Sequence, residues 1–528
     1  MLFLQKPQRD VCKRAVGDMS FQFVAAGLLV SILFSVMCFR CSKRYRLLRK
    51  IPGPRGLPVL GNIAEVFTVS RRLLERGKEI RQAHGPTFIM WLGPCPIVFV
   101  CDPRDLEVVL NKSATLSKPR PYKSLELLLG YSLITANRSD WKRYHRIITP
   151  AFGLPTLNSF IPAFSRKSKI LVEALRAHGD GQSFDMLGFM MMCTLDIVTE
   201  TSLGTDMNVL EDKRVDLVEG LRVAEDVIYH AAIQPWCWIP ALMKMTKSYK
   251  AMADGVKVLW DYTNEIIAQK LEHFEDANDR RMFEQSRGDF VEPADEEKKR
   301  PGFLEHVISC MKAEKISLKK IELRDNTMTV IVGGMGTGSI AMSIALMLMG
   351  LHQDVQSKVV DELETIFEED TEREVTYEDL NRMVYLEQVI KETLRLYPPL
   401  PVVGRVVEEE VRITGYTLPV GTMVGIPIFF THRDPGIFPD PEKFDPDRFS
   451  PENSARRHPY SFVPFLGGRR MCIGKKYAYM QMKTILSTVL RSYRVLPCAR
   501  REEMEKLQFK MTLNLVNGYD VKLISRKR

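Results

Sequence analysis

The stretch FLGGRRMCIG runs from Phe465 to Gly474 and sets one cysteine among arginines and glycines, just ahead of a helix-like segment. A thiol has four common uses: nucleophile, disulfide half, zinc ligand or axial ligand of a haem iron. No second cysteine lies close by, and a nucleophile needs a base that the local sequence neither supplies nor excludes. Gly467, Gly468 and Gly474 point to a tight loop that approaches something flat and bulky, with backbone N–H groups free to face the sulfur. The following KKYAYMQMKTILSTVL (Lys475–Leu490) reads as a helix. Cys472 then sits at its positive end, where the dipole, Arg470, Lys475 and Lys476 favour the ionised sulfur. That combination suits a metal-bound thiolate.

The rest of the chain bounds the reading. With 528 residues it can bury one large core or two ordinary ones. Its 10 cysteines are scattered, with a single C-x-x-C (Cys38 and Cys41) and no second pair to match it, which argues against a disulfide framework or a structural zinc site and leaves most as plain buried thiols. A net charge of +10 suits nucleic acid, an acidic membrane surface or an acidic protein partner. The basic residues are spread along the chain without a helix-turn-helix or RNA-binding signature, so nucleic acid is set aside.

MSFQFVAAGLLVSILFSVMCF (Met19–Phe39) carries no charge and is long enough to cross a bilayer as a single helix. It is long for a cleaved signal and has no clear small-x-small site before Arg40. Six basic residues follow it (Arg40, Lys43, Arg44, Arg46, Arg49, Lys50) against four before it (Lys6, Arg9, Lys13, Arg14), which favours a cytosolic C-terminal body. The expected organisation is a basic segment (1–18), an anchor (19–39), a basic and Pro/Gly hinge (40–62) and a catalytic domain (63–528). IPGPRGLPVLGN (Ile51–Asn62) is the stiff part of that hinge. Beyond it, long helix-like segments are interrupted by short strand-like runs such as PIVFVC (Pro96–Cys101) and VRITGYTLPVGTMVGIPI (Val411–Ile428), a mainly α pattern with a small β region. The charged stretch Glu272–Arg300 lacks periodicity and reads as a mobile loop between two helices.

Phe465-x-x-Gly468-x-Arg470-x-Cys472-x-Gly474 resembles the haem-binding loop of the cytochrome P-450 superfamily. Two further stretches come in that family's order. Glu392 and Arg395 in KETLRLYPPLP lie three apart on one helix face ahead of a Pro-Pro break, and FDPDRF (Phe444–Phe449) supplies Arg448. The spacing alone is uninformative, since EALR, EGLR and EQSR recur elsewhere as ordinary solvated pairs. Together the three resemble the buried Glu-Arg-Arg network that braces the haem loop, a costly arrangement whose use is to fix geometry. THRDPGIFPDPEKFDPDRF and WKRYHRIITPAF are most similar to the fourth-family clan, of insect and vertebrate type, which includes fatty-acid ω-hydroxylases. The likeness runs from about Ile51 to the C-terminus.

Three departures stand out. VIVGGMGTGSIAMSIALMLMG (Val330–Gly350) is apolar enough for a second membrane helix, with Gly334 and Gly338 spaced as GxxxG, and a phosphate loop is excluded by its missing lysine. The resemblance instead makes it the helix over the distal haem face, where the usual pattern is Ala/Gly-Gly-x-Asp/Glu-Thr-Thr. Thr337 is kept, but Gly336 replaces the acid that helps deliver protons. Gly333 stands where many clan members carry a glutamate esterified to haem, so non-covalent haem b is expected, beneath a bent, roomy distal helix. In WKRYHR, His145 replaces the arginine four after Trp141 that serves a haem propionate, with Arg143 or Arg146 as candidate helpers and Arg405 and Arg470 at the other propionate positions.

The resemblance implies a microsomal, single-pass haem-thiolate monooxygenase of the endoplasmic reticulum. Cys472 would bind the iron and Thr337 would serve the distal side. Electrons would come from NADPH through a cytochrome reductase, with cytochrome b5 as a further partner, and the substrate would be lipophilic. Lys142, Arg143, Arg469, Lys475 and Lys476 form a candidate basic docking face for an acidic partner. A haem-thiolate isomerase or dehydratase, and a catalytically impaired haem or lipid binder, stay open because of Gly336.

Overall fold

The computed structural model describes residues 41–526 apart from 58–59, 64–71, 94, 235–239, 288–301, 314–317, 369, 371 and 499. The expected anchor at Met19–Phe39 lies outside the described residues. The long helices used below are α1 (Arg138–Ile148), α2 (Met186–Leu203), α3 (Val215–Ile233), α4 (Lys320–Leu351), α5 (Val384–Leu396) and α6 (Lys475–Ser492). Strands β1 (Thr87–Leu92), β2 (Cys95–Val100), β4 (Val403–Val406) and β7 (Met423–Ile426) form a sheet in the order β1-β2-β7-β4. Its β2–β7 pair is parallel and the other two pairs are antiparallel. β3 (Asp180–Asp185), β11 (Asp520–Ser525) and β8 (Tyr493–Leu496) form a second sheet, while β5 (Val411–Ile413) with β6 (Tyr416–Leu418) and β9 (Leu507–Phe509) with β10 (Leu513–Leu515) are two-stranded. The architecture is the mainly α one with a small β region that the sequence pattern implies.

The core divides along the same line. Residues of α2, α4, α5 and α6 share one large apolar cluster, and the β1-β2-β7-β4 sheet closes a smaller one around Val98, Val403, Val424 and Ile426. α2 and α4 are apolar around most of their circumference, as a helix packed on all sides must be. They lie against each other, with the hydroxyls of Thr194 and Ser339 paired at 2.7 Å. Both are long and apolar enough to cross a membrane, yet most of each is buried inside the protein. The GxxxG of α4 is accordingly used within the core: a Cβ on Gly334 would meet Val198 Cγ2 at 2.8 Å. α4 runs unbroken through its glycines.

Two expectations are corrected here. The helix that begins at Lys247 continues to Arg287, so the first half of the charged stretch Glu272–Arg300 is helical; its Glu, Arg, Ala and Gln residues favour helix even without an apolar period. Of the described cysteines only Cys101 and Cys193 are fully buried, the others being half-buried or exposed. The described cysteines are all free, and among the described residues no group of three His, Cys, Asp or Glu side chains could hold a metal ion.

Downstream of the expected anchor, the helix Lys43–Leu48 packs beside β6, Leu48 and Ile51 are buried in the smaller core, and Arg44 Nη2 donates to the Gly421 carbonyl at 2.8 Å.

Candidate functional site

The cysteine loop owes its shape to backbone that only certain residues accept. Leu466 and Gly468 have φ of +60° and +67°. A Cβ on Gly468 would lie 2.2 Å from the Leu110 carbonyl oxygen, and one on Gly467 would meet the Tyr460 ring at 2.7 Å. Here glycine is required twice over, by conformation and by close approach. The Cys472 N–H donates to the Phe465 carbonyl at 3.0 Å and closes the loop, while the Phe465 ring rests 5.4 Å from that of Tyr479 on α6.

Cys472 is accessible on the loop, unlike the buried Arg470 two residues before it. Burial pushes its thiol up, against which the Gly474 N–H bonded to sulfur and the charge of Lys475 work in the other direction. α6 begins at Lys475 with Gly474 as its cap, so the sulfur lies at the positive end of that helix.

Behind the loop, Glu392 and Arg395 form a two-pronged pair, Nε to Oε2 at 2.7 Å and Nη2 to Oε1 at 2.8 Å, with both side chains wholly buried. The remaining Arg395 donors reach the carbonyls of His432 (3.0 Å), Pro441 (2.7 Å) and Lys443 (3.1 Å). Glu392 Oε1 also accepts from the Asp445 N–H at 2.9 Å, and Arg448 Nε approaches it to 3.6 Å, an ion pair but not a hydrogen bond. The three charged residues singled out in the sequence are thus brought together. They are tied through carbonyls to the segment carrying Arg448 and through His432, whose Nε2 accepts from the Val463 N–H at 2.9 Å, to the start of the cysteine loop.

A second cluster has no counter-ion. Arg405 on β4 and Arg470 in the loop are both buried, and Lys118 joins them beneath a ring of Tyr122 at 4.4 Å. Arg405 donates to the Gly404 carbonyl at 2.9 Å. Arg470 donates to the carbonyls of Leu116, Leu133 (3.1 Å) and Ala136 (2.9 Å), with its guanidinium 5.4 Å from the Trp141 ring. Burial lowers all three, Arg470 to about 9; Lys118 also feels the charges of Arg405 and Arg470, and Arg470 that of Arg405. Among the described residues no carboxylate comes within ion-pair distance of them. Two buried guanidinium groups and the half-buried Lys118 ammonium, converging without an anion, form a receptor for a dianion, which fits the two propionates of haem. Lys118 escaped the sequence reading because nothing near it in the chain signals that role.

His145 sits beside this cluster with its ring 4.8 Å from that of Trp141, and burial and the Arg470 charge lower it, so it contributes a neutral ring. Arg143 cannot assist: it is bound to Glu322 at the start of α4 and lies over the Tyr144 ring. It is also withdrawn from the basic docking face, where Lys142, Arg469, Lys475 and Lys476 remain exposed. Arg146 is exposed as well.

On α4, the Thr337 hydroxyl donates to the Gly333 carbonyl at 3.0 Å, an i−4 bond that leaves its lone pairs available. A Cβ on Gly333 would meet nothing within 4 Å, so this face of the helix borders open space, room that a bulky planar group and substrate would need. Gly336, one turn further on, is buried. A charged cleft bounded by Asp102, Arg448 and His458 lies elsewhere and includes neither Cys472 nor Thr337.

Comparison with known proteins agrees with this geometry. The family model described as "Cytochrome P450" matches residues 51–523. Cytochrome P450 4V2 of Homo sapiens is 33% identical over 512 residues, covering 96% of this chain and 95% of that protein. Cytochrome P450 4g1 of Drosophila melanogaster is 31% identical over 544 residues, covering 99% and 98%, and cytochrome P450 4c3 of the same organism is 32% identical over 504 residues, covering 94% of each.

Proposed function

The chain belongs to the cytochrome P450 family of haem-thiolate monooxygenases, and from that premise we propose that it inserts one atom of dioxygen into a lipophilic substrate such as a fatty acid or xenobiotic. Haem, bound non-covalently with a cysteine thiolate as axial ligand, is the family's cofactor, and when bound it supplies the oxygen-activating chemistry. The observation that carries the assignment to these residues is the uncompensated cluster of Lys118, Arg405 and Arg470 next to an accessible loop cysteine.

In this reading Cys472 is the thiolate. The Gly474 N–H and the α6 dipole hold its charge on sulfur. Lys118, Arg405 and Arg470 bind the propionates, with Trp141 beneath the Arg470 guanidinium and His145 as a neutral hydrogen-bond partner. Phe465 shields the sulfur side from water, and Glu392, Arg395 and Arg448 keep the loop in place. On the opposite side Thr337 holds and orients a proton-bearing water, and the space beside Gly333 admits substrate.

The segment Met19–Phe39 anchors the protein in the endoplasmic reticulum membrane with the catalytic body in the cytosol. The exposed Lys142, Arg469, Lys475 and Lys476 dock an acidic electron donor, an NADPH-dependent flavoprotein reductase or cytochrome b5.

The test combines a spectrum with a product. The reduced, carbon-monoxide-treated protein should show thiolate ligation and Cys472→Ser should lose it; a serine variant with the wild-type spectrum would refute the ligand assignment. With reductase, NADPH, labelled dioxygen and a panel of fatty acids, labelled alcohol in step with NADPH use is expected. Product formed without NADPH would point to isomerase or dehydratase chemistry instead.

A further inference from the structure

The place vacated by the distal acid is not empty of carboxylates. A Cβ built on Gly336 would lie 3.3 Å from Glu225 Oε1, so a side chain from α3 reaches across to the turn of α4 immediately before Thr337. A larger residue at 336 would contest that position, and glycine leaves it to Glu225.

The surroundings of Glu225 keep it from being a simple ion pair. On its own helix stand Arg222 and Asp226; from the β9–β10 hairpin come Lys510 and Thr512, and Tyr519 lies near. Lys510 is engaged by Asp226 at 2.7 Å, and Arg222 by Glu219 at 3.4 Å and Asp185 at 3.8 Å. Burial, reinforced by Asp226, raises the Glu225 carboxyl to about 7, while Arg222, Lys510 and the Thr512 hydroxyl oppose the shift. Both its acid and its ionised form are therefore populated near neutral pH, the condition under which a carboxyl relays protons best.

We propose that Glu225, a positioning residue on α3 acting through Thr337 and intervening water, supplies the proton-relay carboxyl that Gly336 has removed from α4. This rests on the monooxygenase reading. Inserting one atom of dioxygen while the other leaves as water consumes two electrons, which NADPH supplies, and two protons. For each proton relayed, the Glu225 O–H bond breaks, the carboxylate remains, and solvent at the Lys510–Asp226 edge restores the acid, so the residue is unchanged over a cycle. The acid function has moved from one helix to another.

The holoenzyme tests this in two ways. An infrared titration should show a protonated carboxyl band that disappears with a midpoint near pH 7 in wild type and is missing in Glu225→Gln; a wild-type protein without such a band would overturn the inference. In turnover, Glu225→Gln should lower the ratio of labelled product to NADPH at least ~tenfold, with peroxide making up the difference and the carbon-monoxide spectrum unchanged. Gly336→Asp should restore coupling in the Glu225→Gln background and bring no gain alone, where it sets two carboxyls side by side. Should Glu225→Gln lose its haem spectrum, wild-type coupling decides: it should fall as pH rises through the infrared midpoint, and a flat profile would refute the relay. Full coupling in Glu225→Gln overturns this inference alone, whereas wild type that makes no labelled product overturns the monooxygenase reading and the relay with it.

Discussion

The two sides of the site are built by opposite rules. Around Cys472 every polar group is specified: two positive-φ residues, a two-pronged buried ion pair and a ring of carbonyls leave little that could change without the loop moving. On α4 the chain instead presents four glycines and a threonine from Gly333 to Gly338, with open space at one glycine and a foreign carboxylate at another. A rigid anchor for a cofactor needs particular residues at particular positions, because backbone geometry admits few substitutes. A proton path needs only a suitable group within reach, and any nearby element can provide it.

The sharpest way to break this contrast is Glu392→Ala. It leaves the Arg395 and Arg448 charges buried without their acid, so we expect a loss of about 3–5 kcal/mol and of haem binding, read by denaturant unfolding and the carbon-monoxide spectrum. Next comes Gly468→Ala, where a methyl meets the Leu110 carbonyl at positive φ; a cost of at least ~2 kcal/mol and a weakened thiolate spectrum are expected. A variant as stable as wild type would show that the proximal loop can adjust.

His432 makes the same side sensitive to acid. Its burial and the charges of Arg395 and Arg433 push the imidazole down to about 3. The folded state therefore takes up its proton later than the unfolded chain does, near 6.5. The stability due to neutral His432 is full above about pH 6.5 and declines as pH falls toward 3, where protonation removes the acceptor for the Val463 N–H. His432→Gln should flatten that part of the stability–pH curve. The smallest effect belongs to the distal side: Gly333→Ala adds a methyl to open space and should stabilise α4 by up to about 1 kcal/mol with an unaltered carbon-monoxide spectrum, changing only which substrates fit. Destabilisation there would mean that α4 is as tightly specified as the loop.

The same contrast governs what could be read from the sequence. The loop, Glu392, Arg395 and Arg448 were legible because they lie in short stretches that resemble the family's motifs residue by residue; the spacing alone would not have singled them out. α2 and α4, uniformly apolar, announce burial but cannot say whether lipid or protein surrounds them; only packing answers that. Lys118 and Glu225 were invisible, since each matters through a partner far along the chain, and Arg143 was misassigned because its partner Glu322 could not be seen. The helical continuation to Arg287 was missed because that stretch of sequence has no apolar period to betray it.

The docking of Lys43–Leu48 beside β6, with Arg44 held by the Gly421 carbonyl, has a mechanical meaning. Only Arg40, Cys41 and Ser42 separate the end of the proposed span from structure fixed to the sheet. If Met19–Phe39 spans the bilayer as proposed, a body joined so closely to it could not roll freely beneath the membrane. Under that proposal the span would set the body's attitude through a few peptide bonds, and a flexible insertion after Phe39 would turn the mount into a swivel.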